Sequence, residues 1–383
     1  MNALRIAFDA SQTGRRKAGC GFYAAALLEG LLAAQSGDEF TVLTSFGNFF
    51  HDPCQALAFP HLSKKINYGP RILRKSDATS FWENQNKGGN YLNQFNIVHA
   101  NNFWCPPWKI KGILIYTLHD VSFLDHPEWT TEQNRAGCLE GVKRAAKYAN
   151  KFVAISEATK QAFLKHFPDV NADKIHVIYP ALRSSMRGSN RELKRPNSKF
   201  FASETKYFLS VGTIEPRKNQ AFLIDIYEQY RDRGGDAIAL VFAGKPGWLM
   251  NGFQERIAKS CWAKDIHILG YVSDAELGWL YKHCVLNLYP SLYEGFGLPI
   301  LEGISFGACT LCSNSTSMPE VLGDSGILLS PMQPEGWVHA LERLTRDKNL
   351  LEQLQIAAVK RSRKFNWVKT TNQINKLYHQ DEN

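Results

Sequence analysis

Tyr289-Pro290-Ser291-Leu292-Tyr293-Glu294-Gly295-Phe296-Gly297-Leu298-Pro299-Ile300-Leu301-Glu302 decides how this chain folds. The apolar run that leads into it, 285–289, predicts a strand, and the glycines that follow predict a turn. Pro299 suits the first turn of a helix, where its missing N–H would be unsatisfied in any case. Strand, glycine turn and helix in succession expose backbone N–H groups at the positive end of a helix. Glu294 stands before the turn and Glu302 stands eight positions on, inside the helix. Two carboxylates there suit sugar hydroxyls, which donate well to carboxylate oxygens. Ion-paired surface glutamates are the plainer alternative.

The same alternation extends in both directions. In the first half, strands are expected at 4–9, 40–43, 97–100, 112–117, 151–155 and 174–179, with helices at 22–35, 133–149 and 157–166. Residues 183–203 are polar and turn-rich, with no periodicity, and read as a linker. Beyond it, strands are expected at 207–211, 238–243, 266–269, 285–289 and 309–312. Helices are expected at 220–231, 251–261, 274–283, 299–305 and 335–346, and an amphipathic one at 367–379 closes the chain. This pattern predicts α/β architecture with two Rossmann-like domains in tandem. The domains are expected at 1–185 with the terminal helix 365–383, and at 205–364, joined by a linker at 186–204. Ligands of such sheets bind beyond the carboxyl ends of the strands, so two facing domains make a cleft there.

At 383 residues the chain is long enough for two domains. Apolar residues at 44% and charged residues at 21% describe an ordinary globular protein. No stretch approaches the ~18 unbroken apolar residues of a membrane span. Residues 1–9 read as a core strand rather than a signal peptide. Eight scattered cysteines suit a reducing cytosol better than a disulfide scaffold, so a cytoplasmic location is expected. The net charge of +9 is uneven: residues 1–200 hold 26 Lys/Arg against 16 Asp/Glu, and residues 201–383 hold 19 against 20. A basic first half points to an anionic substrate, an anionic membrane surface or a nucleic acid. No nucleic-acid motif accompanies it.

Several further segments end at expected strand termini. Lys17-Ala18-Gly19-Cys20-Gly21-Phe22 opens a helix, and its glycines allow backbone to approach an anion; a plain turn is the alternative. Gly19-Cys20-Gly21-Phe22-Tyr23-Ala24 also matches the dinucleotide fingerprint. Nearly ten residues separate it from its strand, however, and the second strand ends Leu43-Thr44-Ser45 without the acidic residue that holds a ribose. Tyr116-Thr117-Leu118-His119-Asp120 places a His-Asp pair at a strand end, where a satisfied core histidine is the alternative. Val211-Gly212-Thr213-Ile214-Glu215-Pro216-Arg217-Lys218-Asn219 puts Arg217 and Lys218 at a helix opening. There Arg can grip a diphosphate in a bidentate fork while Lys adds a point charge; a solvated charge pair is the alternative.

Other features carry less. Lys64, Lys65, Arg71, Arg74 and Lys75 form one basic cluster, and Lys143, Arg144, Lys147 and Lys151 form a stripe at helical spacing. They suit a peripheral membrane contact or simply solvated faces. Phe49-Phe50 and the segment from Trp104 to Trp108 suit sugar-ring stacking or, more commonly, core packing. Cys309 and Cys312 would point to opposite faces of a strand, which argues against a metal or redox role. There is no Asp-x-Asp and no spacing that reads as a metal site.

With these motifs in order, the chain resembles the GT-B glycosyltransferases over nearly its whole length, specifically the large retaining family 4. The resemblance rests on Glu-x7-Glu (Glu294 to Glu302), Gly-Thr-x-Glu-Pro-Arg-Lys-Asn (212–219), Gly270-Tyr271-Val272-Ser273-Asp274 and Met318-Pro319-Glu320-Val321-Leu322. It implies a GT-B fold, two Rossmann-like domains facing a central cleft, with the C-terminal helix crossing back to the first domain. It implies that Gly21 approaches the donor diphosphate, that His119 contacts the donor sugar at the reacting centre, and that Arg217 and Lys218 hold the diphosphate. Glu294 would bind the sugar hydroxyls, the amides of Phe296, Gly297 and Leu298 would add contacts, and Glu302 would bind the ribose. Many relatives carry a further Arg where this chain has Thr213, so the diphosphate site here leans on Arg217 and Lys218. The 212–219 version, with Ala243-Gly244-Lys245-Pro246-Gly247-Trp248, is similar to a subgroup of bacterial O-antigen mannosyltransferases.

The expectation is therefore a metal-independent retaining glycosyltransferase without cofactor. It would move a hexose from a nucleotide-sugar, GDP-mannose ahead of a UDP-sugar, to a saccharide or lipid-linked acceptor in cell-surface polysaccharide synthesis. A nicotinamide-dependent Rossmann oxidoreductase and a catalytically silent sugar-nucleotide binder are the readings from other classes.

Overall fold

The computed structural model describes residues 3–14, 19–34, 36–47, 66–72, 74–183, 186, 193–202, 205–245, 247 and 252–380. Lys17, Ala18, Phe49, Phe50, Lys64, Lys65, Pro246, Trp248 and, of the expected linker, residues 187–192 and 203–204 lie outside the described residues. The chain divides into two compact units: Met1–Arg183 with Asn366–Asn383, and Ser184–Phe365.

The first unit is built on seven parallel strands: β1 (Arg5–Asp9), β2 (Glu39–Leu43), β3 (Asn67–Tyr68), β4 (Ile97–Ala100), β5 (Ile113–Leu118), β6 (Lys151–Ala154) and β7 (Ile175–Val177). Their order is β3-β2-β1-β4-β5-β6-β7. β4 is buried at every position and β5 at all but its first, the near-continuous apolar reading of strands covered on both faces. Around them, Phe46, Trp82 and Trp104 meet edge-on or tilted, with ring centroids 4.8–5.4 Å apart. Trp104 is therefore a core residue and not a sugar platform.

The second unit repeats the plan with β8 (Tyr207–Val211), β9 (Ala239–Ala243), β10 (Ile266–Gly270), β11 (Leu286–Tyr289), β12 (Thr310–Ser313) and β13 (Gly326–Leu329), in the order β10-β9-β8-β11-β12-β13. Every pairing is again parallel. Part of the expected linker belongs here. Phe201 is buried, edge-on to Tyr207 and Trp279 at 5.4 Å each, because two adjacent phenylalanines gain more from burial than a tether would.

The closing helix, Trp367–His379, packs in the first unit. Its Asn366 cap accepts from the Lys369 N–H, and Trp367, Thr370, Thr371, Ile374, Leu377 and Tyr378 bury one face at three- and four-residue spacing. Trp367 Nε1 donates to the Leu182 carbonyl at 2.9 Å and Thr370 Oγ1 to the Tyr179 carbonyl at 2.7 Å. Lys151 Nζ donates to the Leu377 carbonyl at 3.1 Å, favourable at a negative helix end. Lys151 is thus a buried strand residue, and the expected basic stripe stops at Lys147. No helix of the described residues is long and apolar enough to cross a membrane.

Each sheet reverses its strand order once, between β1 and β4 and between β8 and β11. Loops leaving neighbouring strands in opposite directions open a crevice at such a point, which is where ligands of these sheets bind.

Candidate active site

In the second unit the loops beyond β8 and β11 carry the expected residues. Gly212 leaves β8 at φ +145, and its carbonyl lies so close to Gly244 that a Cβ there would strike it. Asn219, left-handed at φ +56, turns the chain into the helix Gln220–Asp232. The loops are then joined by backbone and side chain: the Leu292 N–H donates to the Arg217 carbonyl at 2.8 Å, and Asn219 Nδ2 to the Pro290 carbonyl at 3.3 Å.

Glu294 sits across this crevice. Its Oε1 accepts from Lys218 Nζ at 2.6 Å and from the Tyr289 hydroxyl at 2.8 Å, and its Oε2 accepts from Arg217 Nη1 at 3.0 Å. Lys218 also donates to the Tyr289 hydroxyl at 2.8 Å, and Arg217 Nη2 to Glu215 Oε1 at 2.8 Å. Burial opposes ionisation of Glu294, yet the charges of Lys218 and Arg217, with hydrogen bonds from Lys218 and Tyr289, outweigh it and hold the carboxyl at about 2. Burial likewise pulls the Lys218 ammonium down while Glu294 opposes the shift. The Tyr289 phenol, raised well above 10 by burial and by Glu294, stays neutral.

The structure thus brings together Arg217, Lys218 and Glu294. Glu215 and Tyr289 complete the cluster, and neither was singled out from the sequence. Both lie inside the quoted strand-end segments, which was the available signal. Glu302 lies buried in the helix Leu298–Ser305, where the Tyr281 hydroxyl donates to its Oε2 at 3.2 Å. Gly297 begins that helix at φ +99, a backbone geometry suited to glycine, and its carbonyl accepts from the Ile300 and Leu301 N–H groups at 3.0 and 3.3 Å. Phe296 is buried against Phe365, edge-on at 5.6 Å.

In the first unit, the helix expected from residue 22 begins at Gly19, so Gly19 and Gly21 lie in its first turn and not in a preceding loop. Glycine costs little in a first turn, whose N–H groups are unpaired within the helix anyway. His119 follows β5 and is buried. Its Nε2 is 2.8 Å from the Asn101 carbonyl, an acceptor only, so the proton resides on Nε2. Its ring stands edge-on to Tyr23 at 5.4 Å, and burial lowers its pKa, which keeps the imidazole neutral. Among the described residues no group of His, Cys, Asp and Glu is placed to hold a metal ion. Cys309 and Cys312 are buried free thiols, with the Cys309 thiol pushed up to about 12 by burial.

Residues 191–361 match the family described as Glycosyl transferases group 1, and residues 18–184 match Glycosyltransferase Family 4. The O-antigen chain mannosyltransferase B of Escherichia coli is 30% identical over 287 residues, 74% of this chain and 74% of that protein. The serotype-specific mannosyltransferase WbdA of Escherichia coli is 29% identical over 269 residues, which span 69% of this chain but only 32% of WbdA. The crystal structure of Anabaena HepE in complex with UDP and glucose matches with a TM-score of 0.72 at 16% identity, over 98% of this chain and 100% of that one. The two Rossmann-like units are those of a GT-B glycosyltransferase. The chain belongs to glycosyltransferase family 4. That membership sets aside the dinucleotide reading of Gly19 to Ala24, whose glycines here begin a helix ten residues beyond the end of β1 at Asp9.

Proposed function

We propose that this chain is a retaining hexosyltransferase that moves mannose from GDP-mannose to a saccharide or lipid-linked saccharide acceptor. The observation that carries the reading is the meeting of Arg217, Lys218 and Glu294 at the β8/β11 switch point. The mannosyltransferase names of the Escherichia coli relatives support the donor.

In this reading the second unit binds the donor and the first binds the acceptor. Arg217 and Lys218 hold the diphosphate, with Gly21 near it, and Glu294 takes the hydroxyls of the donor sugar. The amides of Phe296, Gly297 and Leu298 add contacts, Glu302 holds the ribose, and His119 contacts the sugar at the reacting centre. Departure of the nucleoside diphosphate breaks the bond from the anomeric carbon to the β-phosphate oxygen and builds charge on that oxygen. Arg217, Lys218 and the helix-start amides stabilise the charge as it forms, a task a metal ion performs elsewhere. The acceptor oxygen bonds the anomeric carbon on the face the leaving group vacates, and its proton passes to the departing phosphate. Glu294, with both oxygens occupied and a carboxyl held at about 2, is a weak nucleophile, which favours this front-face route over double displacement.

A thermal-shift screen against GDP, UDP, ADP and their sugar conjugates, with and without chelator, tests the reading. Stabilisation by GDP and GDP-mannose, indifferent to chelator, is expected. A preference for UDP overturns the donor, and a requirement for metal overturns the cationic mechanism. Arg71, Arg74, Lys75, Lys143 and Lys147 lie on the first unit, the first three and both latter lysines exposed, and support a peripheral contact with an anionic membrane surface.

A further inference from the structure

The carboxyl ends of β1 and β4 diverge at the switch point of the first unit, and one buried carboxylate spans them. Asp9 ends β1. Its Oδ2 accepts from the backbone N–H groups of Asn101 and Asn102, both at 3.0 Å, just beyond β4. Its Oδ1 accepts from the Ser11 N–H at 2.9 Å, from Ser11 Oγ at 2.7 Å and from Asn102 Nδ2 at 3.4 Å. A carboxylate this enclosed, with five donors aimed at it, is costly to bury and serves no purpose in packing alone.

What it fixes is the Asn101 peptide. The N–H of that residue is held by Asp9, and its Nδ2 donates to the Asp9 carbonyl at 3.2 Å. Its Oδ1 accepts from Thr117 Oγ1 at 3.0 Å. The one remaining polar group, its carbonyl, accepts from His119 Nε2 at 2.8 Å. Thr117 Oγ1, having donated its proton, accepts from His99 Nε2 at 3.0 Å, and His99 Nδ1 accepts in turn from the Tyr378 hydroxyl at 2.6 Å. Every donor and acceptor in this chain has a definite direction, and at its end His119 presents Nδ1 as an acceptor.

We propose that Asp9 and Asn101 are positioning residues for His119: Asp9 pins the Asn101 peptide, and the Asn101 carbonyl holds the His119 proton on Nε2, leaving Nδ1 to accept from a hydroxyl of the bound sugar. This rests on the reading of His119 as a sugar contact. A carboxylate here orients a histidine through a peptide, rather than by touching the ring, so the imidazole is fixed without gaining a proton.

The test uses the whole chain labelled with ¹⁵N-histidine, the His119 signals being identified by their loss in His119→Asn. The wild-type protein should show neutral His119 with the proton on Nε2 at pH 7. Asp9→Asn, which turns an amide donor toward other donors, should give averaged tautomer signals. It should also lower kcat for release of GDP from GDP-mannose about tenfold or more, with KM changed less than about twofold. Should Asp9→Asn not fold, Asn101→Ala removes the side-chain bonds to the Asp9 and His99 carbonyls and from Thr117 and keeps the Asn101 carbonyl; a several-fold loss of kcat with broadened Nε2 signals is expected. A folded variant whose His119 tautomer and kcat match the wild type overturns the proposal. A shifted tautomer, with GDP release by both that variant and His119→Asn at the wild-type rate, upholds the positioning and overturns the sugar contact instead.

Discussion

Lys218 Nζ stands 2.6 Å from Glu294 Oε1, with both side chains nearly closed to solvent, and this contact joins the loops beyond β8 and β11. Arg217 reaches the other oxygen of the same carboxylate and Glu215 beyond it. Two cations and two carboxylates therefore share one crevice, and the residues proposed to bind the donor are also the ones that join its loops at the base.

Glu294→Gln should accordingly cost both stability and activity. Removing one partner of a buried ion pair destabilises by about 3–5 kcal/mol, and a glutamine that keeps one acceptor should fall at the lower end. Turnover should drop by about 100-fold or more if the carboxylate binds the donor sugar. Urea unfolding alongside GDP release measures both. A variant retaining most of its turnover would remove Glu294 from the assigned role.

Tyr289→Phe isolates the neutral member of the cluster. Its hydroxyl accepts from Lys218 and donates to Glu294, at 2.8 Å each. Losing it should destabilise by about 1–2 kcal/mol and raise the donor KM several-fold, with a smaller change in kcat, because Lys218 loses a fixed direction rather than its charge. Steady-state kinetics with GDP-mannose checks the split.

Two buried carboxyls give stability opposite dependences on pH. Glu294, at about 2 in the fold against an ordinary 4.5, adds stability that is complete above pH 4.5 and fades as pH falls toward 2. Asp9, raised by burial to about 6 against an ordinary 3.8, adds stability that is complete below pH 3.8 and is lost as pH rises through 6. Urea midpoints of Glu294→Gln should therefore lose the acid-side decline. Those of Asp9→Asn, if it folds, should lose the decline between pH 3.8 and 6.

Gly244→Ala tests the backbone approach between the loops beyond β8 and β9. A methyl there meets the Gly212 carbonyl, which no side-chain rotation can relieve. Destabilisation of about 1–3 kcal/mol is expected, with weaker binding of GDP-mannose, because the segment carrying Arg217 shifts as a whole. Calorimetric unfolding and donor titration of the same preparation would check the two effects together.

Binding to liposomes containing anionic lipid should exceed binding to neutral ones and weaken with salt, if the exposed lysines and arginines of the first unit meet a membrane. Equal sedimentation with both kinds of vesicle would count against that contact.

The strand-turn-helix rhythm and the strand-end motifs were legible because each lies within one local stretch of chain. Arg217, Lys218 and Glu294 could be singled out for that reason. Asp9 and Asn101 could not: 92 positions apart, they meet only because β4 lies beside β1 and not beside β3. Lys151 reads both as the first residue of a strand at 151–155 and as the fourth member of a helical stripe; the strand reading holds, and the residue turns its ammonium toward the closing helix. β3, with two exposed residues, lacks the apolar run by which its neighbours announced themselves, whereas β13, Gly326-Ile327-Leu328-Leu329, carries one that the sequence reading passes over.

The neutrality of the Arg217–Lys218–Glu215–Glu294 cluster bears on how the enzyme tells a whole donor from its spent half. On the proposed reading, an arriving diphosphate draws Arg217 and Lys218 away from Glu294, and a carboxylate stripped of its cations in a closed crevice is costly. Sugar hydroxyls of an intact donor supply replacement bonds to that carboxylate. A nucleoside diphosphate alone has none to offer, so the product is held less tightly than the substrate it came from, and the crevice tends to empty itself once the sugar has gone.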